Sequence, residues 1–396
     1  MKKGRKKFSL KEVTLIVVFS SLFMFFLGGL SVYNKLGGIN YNVLGNDKDL
    51  KKFISTYDSL IYNYYGEIDS TSIIAGAIDG MYKSLKDPYT TYLDSNATKE
   101  INDLLDSQYT GLGIVLEDVD NKSIVKSVLN GTPADNAGLK IGDIIVKLND
   151  IDVSEINSLD IRELIKASDK DINITVNRDN KNMVFKIKKE KILIPTVKQE
   201  ILEYRSQKIG YISLEIFNDS ADIQFKDSLY LLEESGINSL IIDLRDNSGG
   251  YLEVSKNIAE LFLKKGNIIY SLENKSQEVV FKDITNESRD YKIAVIVNSK
   301  TASAAEVLAA SLKYSYGANI VGTKTFGKGK VQHKSEFLDG SSIKYTTAKW
   351  LMPNGKCLDT IGLQPDFEID FDKSNIIEGN LYSDNQLLYT LKILVD

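Results

Sequence analysis

The stretch from Ile293 to Leu312 constrains the fold of this chain more than any other. Ile293-Ala-Val-Ile-Val297 is a continuous apolar, largely β-branched run and reads as a buried strand. Asn298 to Thr301 reads as a turn, and Ala302 to Leu312 as an Ala-rich helix. Ser303 therefore falls at a helix N-terminus, exposed at a strand-to-helix turn with free backbone N–H groups nearby. Acyl transfer needs such a hydroxyl and such donors for a developing oxyanion. An ordinary capping serine occupies the same kind of position. A second buried run, Ser239 to Leu244, leads into Asn247-Ser-Gly-Gly250, where paired glycines let backbone N–H groups point into a site.

A hydroxyl nucleophile requires a base, and the chain contains one histidine, His333. A lysine serves instead when burial draws its pKa from about 10.4 toward neutrality. Thr325-Phe-Gly-Lys-Gly-Lys-Val-Gln332 offers Lys328, flanked by Gly327 and Gly329, with Phe326 expected to exclude water. Gln332, four residues on, returns to the same side of a strand or a helix. Lys324 and Lys330 read as solvated.

Composition narrows the function. The 396 residues suffice for more than one domain, and 43% hydrophobic content allows filled cores. A net charge of -5 with acids and bases intermixed argues against a nucleic-acid partner. Cys357 is the one cysteine, which excludes an internal disulfide framework and any Cys/His metal cluster. Five prolines and few long polar tracts leave no extended disordered linker.

The N-terminus departs from this soluble character. Lys2, Lys3, Arg5, Lys6 and Lys7 precede an uncharged run, Val13 to Tyr33, long enough to cross a hydrocarbon core of about 30 Å as a helix. The basic flank marks the cytoplasmic side and places the rest of the chain outside. No Ala-x-Ala pattern follows, so an uncleaved anchor is expected. Between Asp47 and Asn102 the spacing of Phe53, Tyr57, Leu60, Ile61 and Tyr64 is helical, and a second helix is expected over Thr71 to Leu85, before Pro88. Residues 109 to 189 read as short strands around one helix, Ile209 to Ile216 as a strand, Ala221 to Ser235 as a helix, and Asp384 to Leu394 as an amphipathic helix.

Two resemblances join these readings. Gly111-Leu-Gly-Ile114, followed by Gly131-Thr-Pro-Ala134, Gly138-Leu139 and Gly142-Asp143, resembles a PDZ domain. Backbone N–H groups at Gly111, Leu112, Gly113 and Ile114 would receive a chain-terminal carboxylate, and the adjoining strand edge would pair with the peptide. Thr301-Ala-Ser-Ala-Ala-Glu306 with Thr325 to Gln332 resembles the carboxy-terminal processing (tail-specific) proteases, serine peptidases with a Ser/Lys dyad. Gly80 to Leu93 and the closing segments Tyr345 to Gly355 and Gly362 to Ile369 resemble the same family.

The family resemblance implies Ser303 as nucleophile, Lys328 as general base and Gln332 as the residue orienting it. It implies supporting roles for Glu306 and Thr325, and an oxyanion hole from Gly249 or Gly250 with the Ala304 N–H. Asp243 and Arg245 read as structural partners or substrate contacts. One departure is Lys166, within Leu164-Ile-Lys-Ala167, where relatives carry an arginine at the end of the PDZ helix. An ammonium there is a point charge without a guanidinium fork.

The expected architecture is mixed α and β, with a crotonase/ClpP-like spiral core, an inserted PDZ domain, an N-terminal helical segment and a transmembrane helix. The expected boundaries are a basic cytoplasmic tail over 1–12, a signal anchor over 13–33, the helical segment over 47–102, the PDZ domain over 103–190, the protease core over 191–375 and a C-terminal helix over 376–396. The expected function is a single-pass, membrane-anchored serine endopeptidase with its catalytic part outside the cytoplasm, as in a bacterial envelope. It would take protein or peptide substrates with apolar C-termini, need no metal or cofactor, and pair as a homodimer. Two other readings compete: a PDZ scaffold that binds tails without cleaving them, and a protease using Ser303 with His333 and an aspartate.

Overall fold

The computed structural model describes residues 48–168, 171–377 and 379–396. The expected basic tail and anchor lie outside these residues. Among the described residues no helix is long and apolar enough to cross a membrane.

The chain divides into two units, residues 1–77 and 78–396. In the first, α1 (Lys48–Asn63) has no buried residue. The helix α2 (Ser70–Ser84) follows Asp69, whose carboxylate accepts from the Thr71 N–H and the Ser72 hydroxyl.

The segment expected to be helical over 47–102 also contains a short strand beyond Pro88, β1 (Thr91–Leu93), which pairs antiparallel with residues 342–344. Three residues carry no period, so only the distant partner reveals this strand. The helix α3 (Ser95–Leu105) then starts at Asp94, whose side chain accepts from the Ala97 N–H at 2.8 Å.

The PDZ-like part begins with β2 (Gln108–Gly111), β3 (Ile114–Val119) and β4 (Lys122–Val128). It continues through α4 (Pro133–Ala137), β5 (Ile144–Leu148), β6 (Ile151–Asp152), α5 (Ser158–Ala167), β7 (Asp171–Arg178), β8 (Lys181–Lys188) and β9 (Glu190–Leu193). Two helices appear where one was expected, because Thr132-Pro133 starts a single extra turn that ends at Gly138 in the left-handed region. The sheet order is β3-β4-β5-β7-β8, with β6 on β5. Leu116, Val125, Ile145, Ile161, Ile174 and Ile187 pack inside it. The strand β2 leaves this sheet and pairs with β9.

The core runs through β10 (Val197–Tyr204), β11 (Gln207–Leu214), α6 (Ala221–Glu234), β12 (Ser239–Asp243) and α7 (Leu252–Ala259). Next come β13 (Ile268–Glu273), β14 (Glu278–Lys282), β15 (Lys292–Val297) and α8 (Ala304–Ser311). It ends with β16 (Asn319–Gly322), β17 (Lys330–Glu336), β18 (Ser342–Leu351), β19 (Phe367–Glu368) and α9 (Asn385–Val395). One sheet has the order β10-β11-β12-β15-β16-β19, antiparallel at β10/β11 and parallel from there on. A second, antiparallel sheet is built from β1-β18-β13-β14 with β17 on β18.

The parallel sheet is covered on both faces, which is why β12 and β15 are apolar without alternation. Leu240, Ile242, Ile293, Val295 and Val297 face the cluster that includes α6, α7 and α8. Ile241, Ala294 and Ile296 face the other cluster, with Leu387, Leu391 and Leu394 of α9. Each fully buried Ile or Val contributes about 1.5–3 kcal/mol. A buried ion network ties α9 to this sheet. Arg245 bonds Asp243 at 2.6 Å and Asp384 at 2.6 Å, and Asp384 also caps α9. Asp243 and Arg245 are thus structural partners here.

The parallel strands end at Leu214, Asp243, Val297 and Gly322. The segments that follow carry Phe217, Asn247 to Gly250, Ser303, and Thr325 to Lys328 respectively. In open parallel sheets this carboxyl edge is where sites form.

Candidate active site

Ser303 is the residue before α8, which starts at Ala304 rather than Ala302. Its backbone sits at φ 55°, ψ -119°, a region that non-glycine residues occupy at a cost of about 1–3 kcal/mol. Such a strained strand-to-helix turn lifts a serine hydroxyl away from the sheet. The conformation is held by Glu306, whose Oε2 accepts the Ser303 N–H at 2.9 Å.

Glu306 does more than cap the helix. Its carboxylate is fully buried and accepts from four donors. Oε2 also receives the Lys328 N–H at 2.9 Å, while Oε1 receives the Gly327 N–H at 2.8 Å and the Thr325 hydroxyl at 2.5 Å. Burial pushes its pKa up, against the pull of these bonds. Thr325 is fixed in turn by the Leu363 N–H, which its Oγ1 accepts at 2.7 Å. One carboxylate thereby joins the backbone of Ser303 to the loop that carries Lys328.

The Lys328 loop is clamped further. Trp350 donates its indole N–H to Lys328 O and its backbone N–H to Gly329 O, both at 2.9 Å. Asp359 accepts the Gly329 N–H at 2.9 Å. Gly329 must lack a side chain, since a Cβ there would lie 2.6 Å from Asp359 Cβ. Burial draws the Lys328 pKa down, with repulsion from Lys344 adding and Glu306 opposing. Phe326, expected to shield this amine, is 56% exposed. The ring that faces it is Tyr89, with Lys328 Nζ 5.4 Å from the ring centroid.

Lys330, expected to be solvated, contacts the same ring at 5.6 Å and Asp87 at 3.4 Å. Gln332 lies on β17, where a bulge in the facing strand β18 leaves Thr347 between the partners of Val331 and Gln332. Its Nε2 is buried and has no hydrogen-bond partner among the described residues. His333 is exposed, and its ring lies edge-on to Tyr345 at 5.7 Å.

The glycine turn meets the serine directly. A Cβ on Gly249, at φ 101°, would lie 2.8 Å from Ser303 Cβ and 3.0 Å from the Ala304 N. The Gly249 N–H donates to Asn247 Oδ1 at 2.8 Å. The N–H groups of Gly250 and Ala304 form no hydrogen bond among the described residues. Asn247, fully buried, also donates to Leu214 O and accepts the Ala302 N–H through its backbone carbonyl. It was not singled out from sequence, although an asparagine two residues before paired glycines is a turn signal. Tyr89 and Trp350 lie in segments that resemble the family but had no role assigned from sequence, and Asp359 had no local signal.

The PDZ-like part forms a groove of about 600 Å³ between β3 and α5, lined by Gly111, Leu112, Gly113 and Ile114 at one end and by Arg162, Ile165 and Lys166 along the helix. Gly113, at φ 86°, lies so close to Thr132 that a Cβ would sit 2.2 Å from its hydroxyl oxygen. Leu112 O and Gly113 O accept the Ala134 and Leu129 N–H groups at 2.9 Å each. At the other end Arg162 donates to Leu116 O at 3.1 Å. Lys189, buried beside β9, gives its ammonium to the carbonyls of Ile165, Lys166 and Ser168, capping α5. Lys166 itself is exposed and pairs with Glu163 at 3.5 Å.

The ribbon of β2 and β9 leads from this groove to the core. Ser107 donates its N–H to Asp219 Oδ1 at 2.8 Å, and Phe217, two residues earlier, donates to Gly249 O at 2.9 Å.

An α/β core with a strained serine against a glycine turn, carrying a peptide-sized groove of the PDZ kind, defines a PDZ-containing serine protease. The chain belongs to peptidase family S41, whose description matches residues 208–369. The PDZ domain description matches 110–188, and that of the activating protease CtpB N-terminal domain matches 34–97. A probable CtpA-like serine protease of Staphylococcus aureus (strain COL) is 33% identical over 375 residues, covering 91% of this chain and 74% of that protein. A probable CtpA-like serine protease of Staphylococcus haemolyticus (strain JCSC1435) is 32% identical over 341 residues, covering 84% and 68%. Among solved structures, the photosystem II D1 C-terminal processing protease matches with TM-score 0.50 and 25% identity, over 82% of this chain and 87% of that one. A putative S41 protease from Bacteroides fragilis shares the fold at TM-score 0.52 and 16% identity, over 84% and 91%.

Proposed function

We propose that this serine protease is a C-terminal processing endopeptidase in which the PDZ groove takes a substrate's apolar C-terminus and a Ser303/Lys328 dyad cuts the chain. The observation that carries this reading is the buried Glu306 carboxylate, which holds the backbones of Ser303 and Lys328 at once. In the proposed reaction the neutral Lys328 amine takes the Ser303 proton, and Oγ attacks the peptide carbonyl. The N–H groups of Gly250 and Ala304, unengaged among the described residues, receive the oxyanion. Lys328 returns its proton to the departing amine, and water, deprotonated in the same way, releases the acyl group from Ser303.

Burial of Lys328 supports its role as base, because it favours the uncharged amine. Gln332, with a buried amide N–H lacking a partner, is proposed to orient the amine. Thr325 supports the site through Glu306. The exposed His333 makes no hydrogen bond to a carboxylate among the described residues, which disfavours the histidine alternative. The apolar run Val13 to Tyr33 supports a single-pass anchor with the protease outside the cytoplasm. Phe53, Ile54 and Leu60, exposed on α1, support pairing of two chains.

The test compares the full chain in detergent with Ser303→Ala and Lys328→Ala, using an unstructured protein with an apolar C-terminus. Both variants are expected to lose turnover while still binding the tail. Wild type that binds tails and never cuts them would overturn the proposal.

A further inference from the structure

We propose that Tyr89 is a positioning residue of the catalytic base: its ring, carried on the turn ahead of the PDZ domain, closes over the Lys328 amine and keeps water from it. This rests on the reading of Lys328 as base. The Lys328 ammonium position donates no hydrogen bond among the described residues, and the aromatic face 5.4 Å away is its one described ring contact. An aromatic ring at this distance attracts the charged form and, as an apolar body, also displaces water.

The ring is held firmly enough for that task. Asp87, two residues earlier, accepts from the Tyr89 N–H at 3.3 Å, the Thr90 hydroxyl at 2.7 Å and Lys330 Nζ at 3.4 Å. Thr90 Oγ1 accepts the Thr346 N–H at 3.2 Å, and β1 then pairs with β18. The turn is thus locked to the sheet that also carries Lys330 and Lys344.

The charges around the amine come from every side. Lys344 of β18 disfavours another cation, while Lys330 of β17 is paired with Asp87 at 3.4 Å. Glu306 of α8 favours the cation, and Asp359, which also acts on Tyr89, is engaged by the Gly329 N–H. Burial is the largest influence on Lys328 and lowers its pKa. Removing the ring admits water, and this outweighs the lost attraction of the ring face.

The test measures kcat/KM against pH for the full chain, with an unstructured protein substrate, in wild type, Tyr89→Ala, Tyr89→Phe and Lys328→Ala. Tyr89→Ala is expected to move the rising alkaline limb upward by about 0.5–1 pH unit and to lower turnover at pH 7 about 3- to 10-fold. Tyr89→Phe, which keeps the ring, is expected to follow wild type. Tyr89→Gln, with less lost volume, repeats the alkaline shift if the alanine variant folds poorly. An unmoved limb in both Tyr89→Ala and Tyr89→Gln, with Lys328→Ala inactive, overturns this inference alone. A phenylalanine shift as large as the alanine one overturns it as well, because the hydroxyl would then be acting. Turnover retained in Lys328→Ala overturns both this inference and the base assignment.

Discussion

Replacing Glu306 with glutamine tests the centre of the site without changing its shape. Four donors converge on two oxygens: Thr325 Oγ1 and the Gly327 N–H on one, the Ser303 and Lys328 N–H groups on the other. An amide must turn its NH2 toward one pair. Facing Ser303 and Lys328, it would orphan two backbone donors. Facing the other pair, it orphans only Gly327, since the Thr325 hydroxyl can accept instead of donate. The second orientation is therefore expected. One buried unpaired N–H costs about 1–3 kcal/mol, and two bonds changed from a charged to a neutral acceptor lose about 1 kcal/mol each. The expected loss is about 3–5 kcal/mol of stability, measured by urea unfolding of the full chain at pH 7. Turnover should fall as the Ser303 turn and the Lys328 loop loosen, while tail binding in the PDZ groove persists. This loss requires an ionised carboxylate, which four donors favour and burial opposes. A variant within about 0.5 kcal/mol of wild type with full turnover would refute it, since a protonated Glu306 is mimicked by glutamine. Because burial raises this pKa above the unfolded value, the charged form costs stability as pH rises from about 4.5 through the folded pKa; Glu306→Gln should remove that slope.

Other sites give further outcomes. Burial works against ionisation of Asp87, but the bonds from Thr90, the Tyr89 N–H and Lys330 prevail and hold its pKa at about 2. The folded pKa is thus depressed, so its contribution is present above about pH 4 and lost as pH falls toward 2. Asp87→Asn is expected to lower stability by about 1–2 kcal/mol at pH 7, with the gap to wild type closing at pH 2 in urea midpoints. Gly249→Ala would drive a Cβ to 2.8 Å from both Ala302 O and Ser303 Cβ, at a φ of 101°. A loss of at least about tenfold in kcat is expected from the displaced turn, with tail affinity unchanged in a fluorescence anisotropy titration.

Much of the core was legible because its signals are local. The apolar runs of β12 and β15, covered on both faces, carry their burial in five or six consecutive residues. Ser303, Ala304 and Glu306 lie within four residues on one turn; capping logic reached Ser303, and the family resemblance added Ala304 and Glu306. Gly249 and Gly250 were legible as a turn, but which N–H stays unengaged depends on the Asn247 side chain, and no local pattern encodes that bond. The PDZ signature marked the loop of Gly111 and Gly113 at the end of the groove, yet not the Lys189 cap, which joins residues 21 to 24 positions apart.

What sequence did not yield was the surroundings of Lys328, because they are assembled across the chain. Phe326 was the nearest aromatic residue and the natural choice of shield, but a residue two places from Lys328 shares its loop and turns outward with it. The ring that faces the amine belongs to Tyr89, separated from it by the whole PDZ domain and most of the core. Three residues of β1, paired with β18, bring it there, and Trp350 at the far end of β18 clamps Lys328 from the other side. One long strand therefore holds both the clamp on the Lys328 loop and the anchor for the turn that carries Tyr89. Its register, with Thr91 opposite Lys344, sets the position of that turn. A slip of one residue would turn every side chain of β1 to the opposite face. The environment of the amine is thus a property of strand register, which appears only once the sheet is assembled.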